Sequence, residues 1–253
     1  MIKKFIKKNF SSFVLILIYK LILSWRIIKL KQRLIYCTLC ETKVQTFYSG
    51  LFPWIYLTCS KCFSLSRHRI IADYLKKNEN LDKKTLGHFA AEECLESFIK
   101  KKYDITSYNC FDYNPRGKSF IPVKNTTFLD IENVTDEHFD RYDFIFCNHV
   151  LEHVDFLKAI KCLKKMIKNN GSIFLTFPII DSWNKNYINQ EIKSEYSRTL
   201  HFQQFDHLQL FGREIEKILE TDGFKLKKVT PFGQIAVDQG IHQGETLYIL
   251  KKI

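Results

Sequence analysis

The chain has 253 residues, of which 45% are hydrophobic and 15% aromatic, which excludes a disordered chain and is typical of a globular protein. This length can bury one core of roughly 150–200 residues and a small appended unit. The formal net charge is +12, but residues 1–35 carry nine lysines and arginines and no acid, which leaves only +3 for the rest. The near-neutral remainder argues against a large nucleic-acid surface.

The N-terminal arm, residues 1–35, is both basic and apolar. Its apolar run over residues 13–19 ends at Lys20, which makes it shorter than the ~20 residues of a spanning helix. No small-residue cleavage site follows Trp25, so we do not expect a signal peptide. We predict a cytoplasmic protein whose arm contacts the inner face of the membrane peripherally. Packing of this arm against protein and a true membrane anchor are the alternatives.

Four cysteines form two Cys-x2-Cys pairs, Cys37 with Cys40 and Cys59 with Cys62, separated by 18 residues. Two such pairs can close a tetrahedral thiolate cage, so their spacing predicts a Zn²⁺ site. Four protein sulfurs leave no open position for water or substrate, which makes a structural role the expected one. The other cysteines are interpreted as small core residues in a reducing compartment: Cys94, Cys110, Cys147 and Cys162.

The chain divides into a helical arm (1–35), a zinc-ribbon-like unit with a connecting helix (36–78) and an α/β domain (79–253). From residue 85 strands alternate with helices, which predicts a doubly wound, mostly parallel sheet. The predicted strands are 85–89, 107–111, 127–130, 142–148, 172–177, 225–230 and 245–251, and the predicted helices are 67–77, 92–101, 156–168 and 213–221. Residues 181–211 lack periodicity and are interpreted as a lid or binding loop.

Ligands of such sheets bind beyond the carboxyl ends of the strands, so the residues there are the candidate site. The first strand leads into Gly87-His88-Phe89-Ala90-Ala91-Glu92, where a nucleotide-binding fold normally has a glycine-rich turn. Asp112 follows 25 residues after Gly87, a distance at which an acid commonly binds ribose hydroxyls. Asp130, followed by apolar Ile131, suits an adenine ring. A turn role is the alternative for Asp112.

Further motifs complete this set. They are Ser66-Arg67-His68-Arg69, Leu129-Asp130, Asn148-His149-Val150-Leu151-Glu152-His153-Val154, Asn170-Gly171-Ser172, Asp206-His207 and Phe211-Gly212. In this order they resemble class I S-adenosylmethionine-dependent methyltransferases, and most closely a bacterial subgroup with an N-terminal zinc-ribbon-like segment of four cysteines. The resemblance runs from Cys37 to the C-terminus. The chain departs from the subgroup at Ala91, where proline is usual, and from the wider class in lacking the loop glycines.

The resemblance implies a seven-stranded Rossmann-like methyltransferase sheet in residues 79–253, with S-adenosylmethionine as cofactor and a structural Zn²⁺. The cofactor-binding residues that it implies are Gly87, His88, Phe89, Ala90, Asp112, Tyr113, Asp130, Ile131, Asn148 and His149. It also implies O-methylation of a sugar or glycan precursor in bacterial surface-polysaccharide synthesis. One alternative acceptor is ribosomal or transfer RNA read by the ribbon. A non-catalytic, methyltransferase-like binding module is the other alternative.

Methyl transfer from a sulfonium needs a positioned acceptor and, for a hydroxyl acceptor, a base. His207 is the predicted base because the neighbouring Asp206 could orient its imidazole, and a structural hydrogen bond is the alternative for this pair. His149 and His201 are weaker candidates. Glu152 and His153 are interpreted mainly as capping and packing residues under the site.

The pattern of His149, Glu152 and His153 also has the spacing of an inverted zinc-protease motif. A protease would need both histidines on one helical face, a third ligand and a cleft. His149 directly follows an apolar strand, so we do not favour this function.

Overall fold

The computed structural model describes Leu21 and residues 33–46, 58–115, 123–221 and 223–252. The predicted arm lies outside the described residues apart from Leu21 and residues 33–35, as does the part of the ribbon predicted at 47–57. Membrane contact of the arm therefore stays a prediction. In the described part of the chain, no helix is long and apolar enough to cross a membrane.

The described elements alternate strand and helix from residue 66 onward. The strands are β1 Arg33–Cys37, β2 Thr42–Thr46, β3 Thr85–Phe89, β4 Ser107–Asp112, β5 Thr127–Phe128, β6 Tyr142–Asn148, β7 Ile167–Thr176, β8 Tyr187–Ile188, β9 Gln209–Leu210, β10 Phe224–Val229 and β11 Leu247–Lys252. The helices are α1 Ser66–Asn78, α2 Glu93–Lys102, α3 Phe156–Met166, α4 Glu195–Phe202, α5 Glu214–Thr221 and α6 Gly233–Asp238. Short 3-10 turns lie at Asp136–His138 and Leu151–His153.

Seven strands form one sheet in the order β10-β11-β7-β6-β3-β4-β5. The five strands from β7 to β5 are parallel, and β11 is antiparallel to both of its neighbours. The chain runs outward from β3 to β5 and then returns to place β6 on the other side of β3. This reversal confirms the predicted doubly wound, Rossmann-like sheet and puts the expected ligand crevice at β3 and β6.

Strand β6 shows how the sheet separates two cores. Ile145 and Cys147 join the core formed with α3 and α5, while Phe144 and Phe146 join the core on the opposite face. This alternation follows from the pleat of a strand that is covered on both faces. The second core contains residues of α1, α2 and the β1–β2 unit.

The unit that carries the cysteine pairs packs directly against the larger domain. Ile35 and Cys37 lie in the same hydrophobic cluster as Phe146 of the central sheet. Gly240 has a φ of +61°, and a Cβ there would lie 2.8 Å from Ile35 Cδ1, so the close approach requires glycine. The domain boundary at residue 79 stays a prediction, and the hydrophobic core is continuous across it.

The predicted extension of α3 to residue 168 is wrong. The helix ends at Met166, and Asn170 and Gly171 lie within β7, where the register with β6 shifts. Asn170 has a φ of +64°, and a Cβ on Gly171 would lie 2.9 Å from the Asp143 carbonyl oxygen. The Asn-Gly pair therefore forms an irregularity in a strand rather than a helix C-cap. The sequence signal is the same in both cases, because both need a residue that tolerates unusual backbone angles.

The missing periodicity of residues 181–211 predicted a loop, but the segment contains regular secondary structure. These residues contain the β8–β9 pair and helix α4. Ser194 begins this helix by accepting a hydrogen bond from the Ser197 N–H at 3.0 Å. Phe202 is the one buried residue of α4, so the helix has no apolar stripe for the sequence to reveal. Helix α6 was missed for the same reason, with Ala236 as its buried residue.

A substitution at Phe174 tests the stability of the core that joins the cysteine unit to the sheet. It is fully buried, and its ring centroid lies 5.2 Å from that of Phe146 and 5.8 Å from that of Tyr74. Phe174→Ala should lower the free energy of unfolding by about 3–5 kcal/mol, because it leaves a cavity that rigid neighbours cannot fill. Chemical denaturation measures this loss. Phe232→Ala, at a side chain 84% exposed, should change stability by less than about 0.5 kcal/mol; equal losses would contradict the prediction.

Candidate functional site

The carboxyl ends of four adjacent parallel strands form one edge of the sheet. In spatial order β6, β3, β4 and β5 end at Asn148, Phe89, Asp112 and Phe128. The residues predicted to bind the cofactor all lie in or directly after these strands, so the structure brings them to one edge. Their individual roles stay predictions.

The two predicted acids both close turns. The Asp112 carboxylate accepts a hydrogen bond from the Asn114 N–H at 2.6 Å, and the Asp130 carboxylate accepts one from the Glu132 N–H at 2.9 Å. The turn role considered for Asp112 is therefore observed. Both acids are half-buried, so they remain accessible to a ligand. Beside them, Ile131 is buried, and Tyr113 is 68% exposed.

The loop after β3 adopts a conformation that usually belongs to glycine. Ala90 has a φ of +47°, in the left-handed region that L-residues with a Cβ seldom occupy. Its N–H donates to the Phe111 carbonyl at 2.8 Å. Gly87 stands earlier in the strand, where a Cβ would come within 3.2 Å of the Tyr142 ring. The loop therefore turns sharply without the expected glycines, and side chains must hold it in place.

Glu92, at the end of this loop, is the convergence point of four side chains. One carboxylate oxygen lies 3.2 Å from Arg67 Nε and 2.9 Å from His68 Nε2. The other lies 3.0 Å from His88 Nε2 and 3.2 Å from Asn148 Nδ2. These partners come from α1, β3 and β6, so one carboxylate fixes the loop, the connecting helix and two strand ends relative to one another.

The protonation states follow from the remaining contacts. The Leu65 N–H donates to His68 Nδ1 at 3.0 Å, which leaves the imidazole proton on Nε2, facing Glu92. Burial also lowers the pKa of His68, so this residue is a neutral donor. Burial alone would raise the pKa of Glu92. The contact with His68, the hydrogen bond of His88 and the charge of Arg67 outweigh burial and hold that pKa well below its usual value.

The sequence did not predict that these side chains form a hydrogen-bond network at the site. Arg67, His68 and Glu92 were recognised only as parts of motifs that resemble the methyltransferase subgroup. Thr176 extends the network, since its hydroxyl donates to the Asn148 side-chain oxygen at 3.2 Å. The one sequence signal that pointed to these residues was their place in motifs that resemble the methyltransferase subgroup.

His149 opens a second group of polar residues beyond β6. It has a φ of +52°, and its Nδ1 lies 3.2 Å from Glu152 Oε1. Burial would raise the pKa of Glu152, but the hydrogen bond and charge of His149 lower it instead. Among the described residues, neither His149 Nε2 nor Glu152 Oε2 has a hydrogen-bond partner, and both atoms are buried. Glu152 therefore does more than cap and pack, because its side chain orients His149.

The expected pairing of Asp206 with His207 is corrected by the structure. His207 Nδ1 lies 3.0 Å from the main-chain oxygen of Phe202, to which it donates, whereas the Asp206 carboxylate lies 3.7 Å from His153 Nδ1. Burial lowers the pKa of His207, and the nearby His153 lowers it further. His201, the other candidate, lies 2.8 Å from the Tyr187 hydroxyl.

Strand β9 holds His207 against the 3-10 turn. The Leu208 N–H donates to the Glu152 carbonyl at 2.8 Å, and the Gln209 side chain donates to the Leu151 and Val154 carbonyls at 2.7 and 2.8 Å. The His153 and His207 rings meet edge to face, with centroids 4.7 Å apart. Residues far apart in sequence thus form one rigid cluster. Since Leu151–His153 is a 3-10 turn, the helical geometry of an inverted zinc-protease motif is absent there.

The four paired cysteines also form a cluster. Cys37 Sγ lies 3.5 Å from Cys62 Sγ, and Cys40 Sγ lies 3.7 Å from Cys59 Sγ. Sulfurs bound tetrahedrally at about 2.3 Å from an ion would stand about 3.8 Å apart, so this donor set fits a metal ion. The Ser64 hydroxyl lies 3.3 Å from Cys37 Sγ. Hydrogen bonds from Cys59 and Cys62 lower the pKa of Cys37, which favours a thiolate.

None of the eight cysteines forms a disulfide. Cys110 and Cys147 are buried, and Cys94 and Cys162 are partly buried. Burial raises the pKa of Cys147 well above its usual value, as expected for an inert core thiol rather than a nucleophile.

Known proteins resemble this chain in both sequence and fold. A family described as "Methyltransferase domain" matches residues 87–229. An uncharacterized protein of Methanocaldococcus jannaschii is 30% identical over 86 residues, which are 34% of this chain and 31% of that protein. The chain thus spans about a third of the length of this curated relative.

Solved structures are also similar to this chain. A chain from the complex that contains the Haloferax volcanii Trm112 methyltransferase activator is 12% identical, with a TM-score of 0.51 over 73% of this chain and 90% of that chain. Haemonchus contortus phosphoethanolamine N-methyltransferase 2, in complex with S-adenosyl-L-methionine, is 11% identical, with a TM-score of 0.49 over 73% of this chain and 52% of that chain. The matched family covers more than half of the chain, which therefore belongs to the methyltransferase-domain family.

Proposed function

We propose that S-adenosylmethionine binds along the carboxyl edge of β6, β3, β4 and β5. The observation that carries this proposal is the arrangement at β3, where Glu92 holds the turned loop against Asn148 while Asp112 and Asp130 follow the next two strands. Asp112 would accept hydrogen bonds from the ribose hydroxyls, and Asp130 would contact the adenine amino group next to the apolar side chain of Ile131.

We propose His149 rather than His207 as the general base for an acceptor hydroxyl. Glu152 accepts from His149 Nδ1, which leaves Nε2 as the basic nitrogen, and this atom has no partner in the described part of the chain. Bound S-adenosylmethionine would supply an electrophilic methyl group to the acceptor oxygen, and its sulfur would keep the electron pair of the broken carbon–sulfur bond. His149 Nε2 would take the proton of the acceptor hydroxyl.

A sugar or glycan precursor of bacterial surface polysaccharides is the acceptor that we propose. A hydroxyl acceptor suits the histidine–carboxylate pair of His149 and Glu152. The small net charge outside residues 1–35 favours this acceptor over RNA. Peripheral contact of the arm with the inner face of the membrane would suit a lipid-linked glycan, and we propose that contact on the basis of its lysines and apolar run.

We propose that the paired cysteines bind one structural Zn²⁺. The ligands would be Cys37, Cys40, Cys59 and Cys62, whose sulfur separations fit a tetrahedral ion. Their four thiolates would fill the coordination shell, so the ion would fix the unit that leads into α1 and take no part in methyl transfer.

Cofactor binding is tested by calorimetric titration of the full chain with S-adenosylmethionine. We expect binding by the unaltered protein and about 10–100-fold weaker binding by Asp112→Ala, because charged hydrogen bonds to the ribose are lost. Asp238→Ala, at an exposed acid on α6, is the matched control and should bind normally.

The absence of binding at millimolar cofactor would contradict the enzyme hypothesis and favour the non-catalytic module.

The acceptor is tested with methyl-labelled cofactor offered to lipid-linked bacterial glycans and, separately, to total RNA. Label in the glycan supports the proposed acceptor, whereas label in the RNA, or in neither, overturns it.

Glu92→Gln tests the carboxylate that holds the loop. The amide would turn a donor toward groups that already donate, so we expect a loss of about 2–4 kcal/mol in unfolding free energy together with weaker cofactor binding. The lowered pKa of Glu92 means that its stabilisation is complete above the unfolded carboxyl pKa of about 4.3 and is lost as the pH falls through the folded-state pKa. The stability deficit of the variant should therefore be full at neutral pH and shrink in acid.

Denaturation of both proteins across this pH range gives the measurement. Glu93→Gln, at the exposed next position, should have little effect at any pH. If Glu92→Gln were as stable as the Glu93→Gln control, the hydrogen bonds between the four donors and the Glu92 carboxylate would not stabilise the fold, which would contradict the prediction.

Elemental analysis tests the zinc proposal. The purified protein should hold about one zinc per chain in the cage, and Cys59→Ser should lose both the metal and much of the stability, because metal binding and folding are coupled. Cys162→Ser, which alters a free thiol of α3 outside the cluster, should keep its zinc. Equal zinc contents in the two variants would refute this ligand set.

A further inference from the structure

We propose that Glu152, His153 and His207 form a second metal site that binds one divalent first-row transition-metal ion beside the acceptor side of the sheet. These residues each offer a ligand atom, and those atoms all lie within 4.8 Å of one another. Ligand atoms around such an ion stand roughly 3–4 Å apart at bond lengths of about 2.0–2.2 Å, so small side-chain rotations would close the site.

The Glu152 carboxylate supplies an independent indication that something is bound there. Its side chain is 1% exposed, and Oε2 has no hydrogen-bond partner among the described residues. Only Oε1 is engaged, at 3.2 Å from His149 Nδ1. A buried carboxylate oxygen without a partner is costly, and coordination to a cation would satisfy it.

Both histidines are held in the way that metal ligands usually are. His207 Nδ1 donates to the Phe202 carbonyl at 3.0 Å, and His153 Nδ1 lies 3.2 Å from the Asp206 carbonyl. Donation through Nδ1 fixes the ring and leaves Nε2 of each imidazole with a lone pair for an ion. This explains why Asp206 lies against His153 rather than His207.

The donor set also indicates the class of ion. Two imidazoles and one carboxylate suit Mn²⁺, Fe²⁺, Co²⁺ or Zn²⁺, and they differ from the four thiolates of the cysteine cluster. Three protein ligands leave open coordination positions, as catalytic metal sites do. His153 is 28% exposed, which gives solvent and acceptor a path to the ion.

The ion would hold the acceptor hydroxyl near His149, whose Nδ1 shares the Glu152 carboxylate. This role of the ion rests on the proposed function, whereas binding of the ion does not. The two can therefore be tested separately.

The test uses Mn²⁺, which prefers oxygen and nitrogen ligands and does not compete well for thiolates. The full protein is saturated with Mn²⁺, freed of unbound ions and analysed for manganese and zinc separately. We expect about one manganese ion per chain, which is lost in Glu152→Gln and in His207→Ala. Titration followed by the electron paramagnetic resonance signal of free Mn²⁺ should show at least tenfold weaker binding in both variants.

His242→Ala, which removes an exposed histidine after α6, is the matched control and should bind Mn²⁺ like the unaltered protein. Cofactor binding by calorimetry shows in the same samples whether each variant is folded and whether the proposed function holds. No bound manganese in the unaltered protein, or unchanged Mn²⁺ binding in a folded Glu152→Gln protein, would overturn the second metal site whatever the zinc content or the cofactor result.

Discussion

The ionised carboxylate of Glu92 is the constraint on which the rest of the site depends. It accepts from Arg67 and His68 of α1, His88 of β3 and Asn148 of β6. A charge with so little exposure is stable only with complete hydrogen bonding, so each donor must keep its place. Glycine-rich loops approach a cofactor because they lack side chains. In this chain side-chain hydrogen bonds set the path of the loop instead.

Hydrogen bonds also connect the cysteine unit to the residues around Glu92. Ser64 contacts Cys37 through its hydroxyl, and its carbonyl accepts from the fully buried Arg69 at 2.7 Å. Arg69 also donates to the Gly240 carbonyl, which ties the unit to the C-terminal part of the domain. Helix α1 carries both Arg69 and the two donors to Glu92. A change in the cysteine cluster that displaced this helix would therefore also displace the loop that ends at Glu92. The cysteine cluster is thus connected through α1 to the hydrogen bonds around Glu92.

Sequence patterns predicted the sheet well and the contacts within the site poorly. The limits of Thr85–Phe89 and Tyr142–Asn148 were predicted to the residue, because apolar runs bounded by polar residues mark buried parallel strands. Asp112 and Asp130 were found because strand ends share an edge. His88 lies four residues before Glu92, but the other three partners lie 24 to 56 residues away, so no local periodicity could join them. For His207, adjacency to Asp206 in sequence suggested a pair that the backbone turn separates.

Two residues with positive φ place the backbone on either side of the β3–β6 crevice. Ala90 and His149 both occupy the left-handed region, which costs roughly 1–3 kcal/mol each and persists only where surrounding contacts enforce it. The Ala90 N–H is held by the Phe111 carbonyl at 2.8 Å, and the His149 N–H by the Thr176 carbonyl at 2.7 Å. Relaxation of either turn would move the loop away from the cofactor edge or His149 away from Glu152. The strain therefore lies at the proposed cofactor and acceptor sites, and hydrogen bonds from neighbouring strands hold it in place.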